Sequence, residues 1–233
     1  MPLLIFVHGS PGDWKAWTHY LAAPELKIFP RLLAVDRPGF GGSDAGRVMT
    51  DLRAQATLLA ELVPPGKRAI VVGHSLGGAL AAWMAIDHPD KVCAALSIAG
   101  SLVPSLEAPR WYNAVAGWGA ARRLMPRPML WANEEMLVLA IELQHLHLAW
   151  QRLRVPFAIL QGGKDRLVDP RTPGHIESIA PEIFLKVIRF PDEGHFVLWE
   201  KPQLIIREIL ALLRAQEIAL GIGDDVAASV EQM

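Results

Sequence analysis

Short runs of apolar residues, separated by stretches of helical periodicity, alternate along most of this chain. Six continuous runs rich in Val, Ile, Leu and Phe are typical of strands buried on both faces. They predict strands at residues 3–8, 31–35, 68–73, 92–99, 155–161 and 184–190. Apolar positions that recur every three or four residues predict helices at residues 50–63, 75–87, 172–180 and 202–217. This alternation indicates an α/β fold, with a mostly parallel sheet covered by helices on both faces.

The interval between the fourth and fifth strands breaks the alternation. Residues 102–154 contain no convincing strand, and they predict two helices at residues 110–124 and 133–152. We therefore expect a helical cap inserted into a core of residues 1–101 and 155–216, followed by a C-terminal tail over residues 217–233. The cap is rich in Trp and Met, whose side chains suit an apolar pocket.

Composition narrows the class of protein. With 233 residues and 52% hydrophobic content, the chain can bury one sizeable core. A formal net charge of -1 offers no basic field, so we expect no nucleic acid partner. The single cysteine, Cys93, excludes an internal disulfide scaffold. The first apolar stretch, residues 3–7, is too short for a signal peptide or a membrane span, which predicts a cytoplasmic protein that does not bind membranes.

The most informative local pattern is residues 73–77, Gly-His-Ser-Leu-Gly, which join the third predicted strand to an alanine-rich helix. A serine between a strand and a helix is the context of a nucleophile elbow, a turn too sharp for Cβ atoms at the flanking positions. Gly73 and Gly77 satisfy that requirement. The pattern therefore predicts that Ser75 is an exposed nucleophile.

Three loops that follow other strands relate to this elbow. The first strand leads into residues 8–14, His-Gly-Ser-Pro-Gly-Asp-Trp, the fifth into residues 161–170 and the sixth into residues 191–196. Along the chain, the serine of the elbow is followed by acidic residues in the loop at 161–170 and then by a histidine in the loop at 191–196, which gives the order serine, acid, histidine. Together with residues 36–44, Asp-Arg-Pro-Gly-Phe-Gly-Gly-Ser-Asp, these motifs resemble the α/β-hydrolase family from the first strand to about residue 216. The resemblance implies a three-layer α/β-hydrolase fold with about six strands and an inserted helical cap.

The resemblance also implies roles for these residues. Ser75 would attack the substrate, His195 would accept its proton and return it to the leaving group, and Asp165 would orient the imidazole. Backbone amides of Leu76 and of Ser10 would stabilise the oxyanion, since Pro11 has no N–H. Tentative substrate contacts are Trp14, His74, Trp111, Trp118 and Met136.

Several alternatives compete with these assignments. His74 is a second candidate for the base, although its side chain should point away from that of its neighbour. Asp169 and Glu107 compete with Asp165, which matches the family's Gly-x-x-Asp pattern best. Residues 36–44 are interpreted as a structural turn beside the site, and Glu134 and Glu135 as exposed glutamates on a cap helix. We expect no metal or organic cofactor.

The expected function is cleavage of a carboxylic ester with an apolar acyl or alcohol moiety through an acyl-enzyme. Thioesters, C–C bonds beside carbonyls and amides remain alternatives within the family, and a non-catalytic small-molecule-binding protein is the alternative outside enzymes. Serine at the elbow argues against epoxide hydrolase chemistry, which uses an aspartate nucleophile. The first predicted strand resembles the third strand of the family's sheet, which implies either a member that dispenses with the first two strands or a sequence whose start omits them. An exposed sheet edge is then expected.

Overall fold

A computed structural model describes residues 1–43, 46–107 and 123–219, with side chains to residue 216. Within these residues, six strands form one parallel sheet in the order β2-β1-β3-β4-β5-β6. The strands are β1 (Leu3–Val7), β2 (Leu32–Val35), β3 (Ala69–His74), β4 (Val92–Ile98), β5 (Phe157–Gly162) and β6 (Leu185–Phe190). All six predicted strands are therefore present, each with ends shifted by two residues or fewer.

The described α-helices are α1 (Thr18–Ala22), α2 (Leu52–Ala60), α3 (Leu76–Asp87), α4 (Arg127–Ala149), α5 (Thr172–Glu177), α6 (Val197–Glu200) and α7 (Pro202–Ala219). Between β1 and β2 lie α1 and two 3-10 helices, Trp14–Trp17 and Pro24–Ile28, none of which the sequence predicts. Helix α6 is likewise not predicted from the sequence. These segments are too short for a periodic apolar pattern to develop.

Two apolar clusters lie on opposite faces of the sheet because side chains alternate along each strand. On β1, Ile5 belongs to the cluster that packs against α2, α3 and α4, whereas Phe6 belongs to the cluster that packs against α1 and α7. Both side chains are fully buried. The sheet is therefore the middle of three layers, as the α/β prediction requires.

The segment predicted to form the cap differs in one respect from the expectation. Helix α4 begins at Arg127, six residues before the predicted start, because Pro128 lies in its first turn, where a missing N–H costs nothing. Its apolar face, which includes Leu139 and Leu143, packs into the cluster shared with α2 and α3. The predicted helix at residues 110–124 lies almost wholly outside the described residues. The division into core, cap and tail stays a prediction.

The sheet register brings the candidate loops together. Gly73 at the end of β3 is level with Val7 on β1 and with Ser97 on β4, and Gly162 on β5 is level with Phe190 on β6. The loops that follow these strands therefore leave the same edge of the sheet. Ligand sites in open parallel sheets lie at this edge.

β2 is an edge strand of the described sheet, and its four residues are partly buried. This position agrees with the expected sheet edge. No helix in the described ranges has the length and apolar content needed to cross a membrane.

Candidate active site

The elbow at Ser75 has the backbone geometry that its glycines predict. Ser75 has φ 55° and ψ −124°, a region that costs a non-glycine residue free energy and that clusters at functional sites. A Cβ atom on Gly73 would collide with the Gly77 carbonyl, and one on Gly77 would collide with the Val7 carbonyl. Only glycine therefore allows β3 and α3 to meet at this angle.

Backbone hydrogen bonds hold the strained residue in place. The Ser75 N–H donates to the Ile98 carbonyl (3.0 Å), and the Ser75 carbonyl accepts from the N–H of Gly78 (2.9 Å) and of Ser101 (3.2 Å). In the otherwise buried run of residues 69–86, Ser75 is partly exposed. The fold thus presents this one residue at the edge of the sheet.

His195 and Asp165 are in direct contact. The distance between His195 Nδ1 and Asp165 Oδ2 is 2.8 Å, and both residues are buried. A carboxylate only accepts hydrogen bonds, so Nδ1 carries the proton. In the neutral ring this leaves the lone pair on Nε2, the form that can accept a proton.

Further donors saturate the Asp165 carboxylate. Oδ1 accepts from the backbone N–H groups of Leu167 (2.8 Å) and Val168 (2.9 Å), and Oδ2 also accepts from Gln161 Nε2 (3.1 Å). Burial raises the pKa of Asp165, but the hydrogen bonds from His195 and from these backbone groups outweigh it, so the pKa lies below its usual value. Asp165 is therefore ionised at neutral pH.

The alternative acids are placed differently. The Asp169 carboxylate pairs with Arg171, at 2.6 Å between Oδ2 and Nη2, on the partly exposed side of the same loop. Glu107 follows a 3-10 turn at Pro104–Leu106 after β4. Of the three candidates, Asp165 is the one hydrogen-bonded to His195.

His74 is buried and packs against His195, and its tentative assignment as a substrate contact stays a prediction. The His195 carbonyl accepts a hydrogen bond from His74 Nε2 (3.0 Å), and the two ring centroids are 4.8 Å apart. Burial, and next the neighbouring His195, lower the pKa of His74 to about 3. His74 is therefore a neutral packing and hydrogen-bonding residue, and its Nε2 is committed to a backbone carbonyl.

The loop after β1 packs against the elbow. A Cβ atom built on Gly9 would be 2.8 Å from Ser75 Cβ, so no side chain fits between them. Leu76 is the first residue of α3 and is buried. Leu76 follows Ser75 directly in the chain, and Ser10 follows Gly9, whose backbone packs against Ser75. The role of Ser10 and Leu76 as oxyanion donors stays a prediction.

The remaining tentative substrate contacts are less constrained. Trp14 is 40% exposed, and its backbone N–H donates to Asp36 Oδ1 (2.7 Å). Met136 is partly buried against the core cluster that α4 joins. Trp111 and Trp118 lie outside the described residues. A substrate role for Trp14 and Met136 stays a prediction.

A buried ion pair beside the site was missed, and the interpretation of Glu135 as an exposed glutamate was wrong. Glu135 forms a salt bridge with Arg37, at 2.6 Å between Oε1 and Nη1, and both side chains are fully buried. Arg37 belongs to the segment interpreted as a turn. A signal was present in the sequence, because Glu135 lies three residues after Ala132 and four before Leu139, on the buried face of α4.

Among the described residues, no group of three or more His, Cys, Asp or Glu side chains is arranged to hold a metal ion. The edge of the sheet carries a partly exposed serine and a histidine that is hydrogen-bonded to a buried carboxylate. These are the components of nucleophilic acyl transfer.

Comparisons with known proteins agree with this architecture. Over 95 residues the chain is 37% identical to epoxide hydrolase 3 of Xenopus tropicalis, which covers 39% of this chain and 25% of that protein. Over 110 residues it is 38% identical to the pimeloyl-[acyl-carrier protein] methyl ester esterase of Vibrio vulnificus, covering 47% of this chain and 41% of the relative. The matches therefore span less than half of either relative.

Solved structures resemble the whole fold. A monoacylglycerol lipase of Paleococcus ferrophilus superposes with a TM-score of 0.71 at 18% identity, covering 92% of this chain and 94% of the lipase. A hydrolase of Pseudomonas aeruginosa PA01 superposes with a TM-score of 0.70 at 19% identity, covering 91% and 89%. The model of the alpha/beta hydrolase family matches residues 4–208. This chain therefore belongs to the alpha/beta hydrolase family.

Proposed function

We propose that this protein is a serine hydrolase that cleaves a carboxylic ester through an acyl-enzyme on Ser75. The observation that carries the proposal is the hydrogen bond between Asp165 and His195, formed at the edge of the sheet where the strained elbow presents Ser75. A protein that only binds small molecules has no chemical need for this combination.

The reaction follows from these groups. His195 Nε2 accepts the proton as the Ser75 oxygen attacks the ester carbonyl, and Asp165 stabilises the imidazolium that forms. The amides of Ser10 and Leu76 donate to the oxyanion of the tetrahedral intermediate. When the intermediate collapses, His195 returns the proton to the departing alcohol. Water then attacks the acyl-enzyme with His195 again as the base, which releases the acid and restores Ser75.

The contacts of the site also bear on the other reactions considered within the family. An aminopeptidase would need a carboxylate for the substrate's amine, and Glu135, one of the two glutamates considered on the cap helix, is already paired with the buried Arg37. Epoxide hydrolases are among the relatives, yet the elbow of this chain carries a serine, not a carboxylate. Thioesters and C–C bonds beside carbonyls would use the same groups. The proposed substrate is a small molecule with an apolar acyl or alcohol moiety.

The test is labelling with a fluorophosphonate probe, together with hydrolysis of p-nitrophenyl esters of increasing acyl length. We expect labelling at Ser75, which Ser75→Ala abolishes while the unfolding midpoint stays close to that of the wild type. Ser178→Ala is the matched control, because it removes an exposed hydroxyl far along the chain from the elbow. A wild-type protein that is neither labelled nor hydrolytic would refute the proposal and favour a binding protein.

A further inference from the structure

The buried pair of Arg37 and Glu135 lies at the centre of a larger polar cluster. Glu135 Oε2 accepts hydrogen bonds from Arg37 Nη2 (3.0 Å) and from the Ser10 hydroxyl (2.5 Å). Gln55 of α2 accepts from Arg37 Nη1 (3.0 Å) and donates to Glu135 Oε1 (3.2 Å). The cluster therefore connects α2, the loop after β2, helix α4 and the loop after β1.

Burying this ion pair is expensive, and hydrophobic side chains of similar volume are often at least as stable in such positions. A contribution to folding stability is therefore a weak explanation for the presence of these two fully buried charged side chains. The position of the cluster suggests another reason, since Ser10 belongs to the loop that packs against Ser75.

Arg37 acts on the same loop through its backbone. The Gly9 carbonyl accepts hydrogen bonds from Arg37 Nη2 (3.1 Å) and from His8 Nδ1 (2.7 Å). His8 Nε2 in turn accepts from the Arg37 backbone N–H (3.0 Å), so one neutral tautomer satisfies both contacts. Burial, and next the charge of Arg37, lower the pKa of His8 to about 3, which keeps the ring neutral.

These contacts orient the Ser10 amide. In a trans peptide the C=O and N–H point in opposite directions, so fixing the Gly9 carbonyl towards Arg37 turns the Ser10 N–H away from Arg37. A cation that bonds to a peptide carbonyl also polarises the N–H of the same unit and strengthens it as a donor. The hydrogen bond from the Ser10 hydroxyl to Glu135 adds a second restraint, which acts on the Ser10 side chain.

We propose that Arg37 and Glu135 are positioning residues for the oxyanion hole, and that helix α4 thereby takes part in stabilising the transition state through Glu135. The inference rests on the proposed function, because it assigns these residues to the Ser10 amide of that site. Neither side chain touches the reacting atoms. Both act through the Gly9–Ser10 peptide and the Ser10 hydroxyl.

Ser10→Ala gives the sharpest test, because it removes the hydroxyl bonded to Glu135 and keeps the backbone amide. We expect kcat for a p-nitrophenyl ester to fall about 10-fold with KM changed less than about 2-fold, a smaller loss than the 10²–10³-fold caused by removing an oxyanion donor outright. Ser10→Thr keeps a hydroxyl and should restore most of kcat. Glu135→Gln should lower kcat in the same way.

Asp87→Asn is the matched control. Asp87, at the end of α3, bonds to Arg152 just after α4 (2.9 Å) and to Arg53 of α2 (2.5 Å). It therefore ties the same helix to the core without touching the Ser10 loop. We expect kcat of Asp87→Asn to stay within about 2-fold of the wild type, since both of its arginine partners are about half exposed and neither ion pair contacts the Ser10 loop.

Amide hydrogen exchange in the peptide that contains Ser10 supplies a readout that does not depend on activity. We expect faster exchange in Ser10→Ala and Glu135→Gln and no change in Asp87→Asn. An unchanged kcat in Ser10→Ala, or an equal loss in Asp87→Asn, overturns the inference when the wild type is active. If the wild type is not labelled at Ser75, the proposed function fails. Unchanged amide exchange in both Ser10→Ala and Glu135→Gln would then overturn the positioning role separately.

Discussion

Replacement of Asp165 by asparagine tests the site most directly, because the structure dictates how the new amide must sit. Two backbone N–H groups, from Leu167 and Val168, donate to Oδ1. The amide oxygen of Asp165→Asn must stay there, since two donors cannot face an NH₂ group. The NH₂ group therefore replaces Oδ2 and faces His195 Nδ1 and Gln161.

Facing a donor, His195 Nδ1 must become an acceptor, and the ring proton moves to Nε2. That tautomer cannot accept the proton of Ser75, and the same change in a Ser-His-Asp site lowers kcat about 10⁴-fold. The loss corresponds to about 5 kcal/mol of transition-state stabilisation. The fold should tolerate the change, because Gln161 Oε1 is buried without a hydrogen-bond partner among the described residues and can accept from the new amide after a flip.

The assay compares the fluorophosphonate labelling rate and kcat for a p-nitrophenyl ester, with urea unfolding as the check on structure. We expect the unfolding free energy to fall by only about 1–2 kcal/mol, since charge-assisted hydrogen bonds become neutral ones. Asp169→Asn, four residues away in the same loop, is the control and should remain fully active. The reasoning is refuted if Asp165→Asn keeps kcat within 10-fold of the wild type, or if Asp169→Asn loses as much.

Two further predictions concern the elbow and acid stability. Gly77→Ala should abolish labelling at Ser75 and destabilise the fold, because the new Cβ would collide with the Val7 backbone. The control is Gly174→Ala in α5, whose Cβ would meet no atom within 4 Å, and this variant should stay active with unchanged or slightly higher stability. A soluble Gly77→Ala protein that is still labelled would contradict the prediction. Burial holds the pKa values of His8 and His74 near 3, against 6.5 for the unfolded side chain. Between these values the unfolded chain binds more protons, so the unfolding free energy should fall with pH below 6.5 by up to about 1.4 kcal/mol per pH unit for each histidine. Urea unfolding at pH 7 and pH 5 measures this change in the free energy of unfolding. Equal or greater stability at pH 5 would be inconsistent with neutral buried histidines.

The fold was predictable because its signals are local. Continuous apolar runs predict strands, and the structure contains all six. Four of them, β1, β3, β4 and β5, are buried throughout, whereas the edge strands β2 and β6 are only partly buried. The elbow was equally readable, since the need for glycine at positions 73 and 77 arises from atoms within a few residues and from the adjacent strand. The short elements between β1 and β2 were not predictable, because segments of four or five residues show no period.

Contacts between distant residues were decided by tertiary structure. Asp165 and Asp169 are both plausible acids in the sequence, and the register of β5 beside β6 is what brings Asp165 to His195, 30 residues away. Glu135 lies 98 residues from Arg37, and only the packing of α4 on the core joins them. A sequence specifies strands, helices and the elbow through near neighbours, whereas the pairing of charges across the chain depends on how those elements pack.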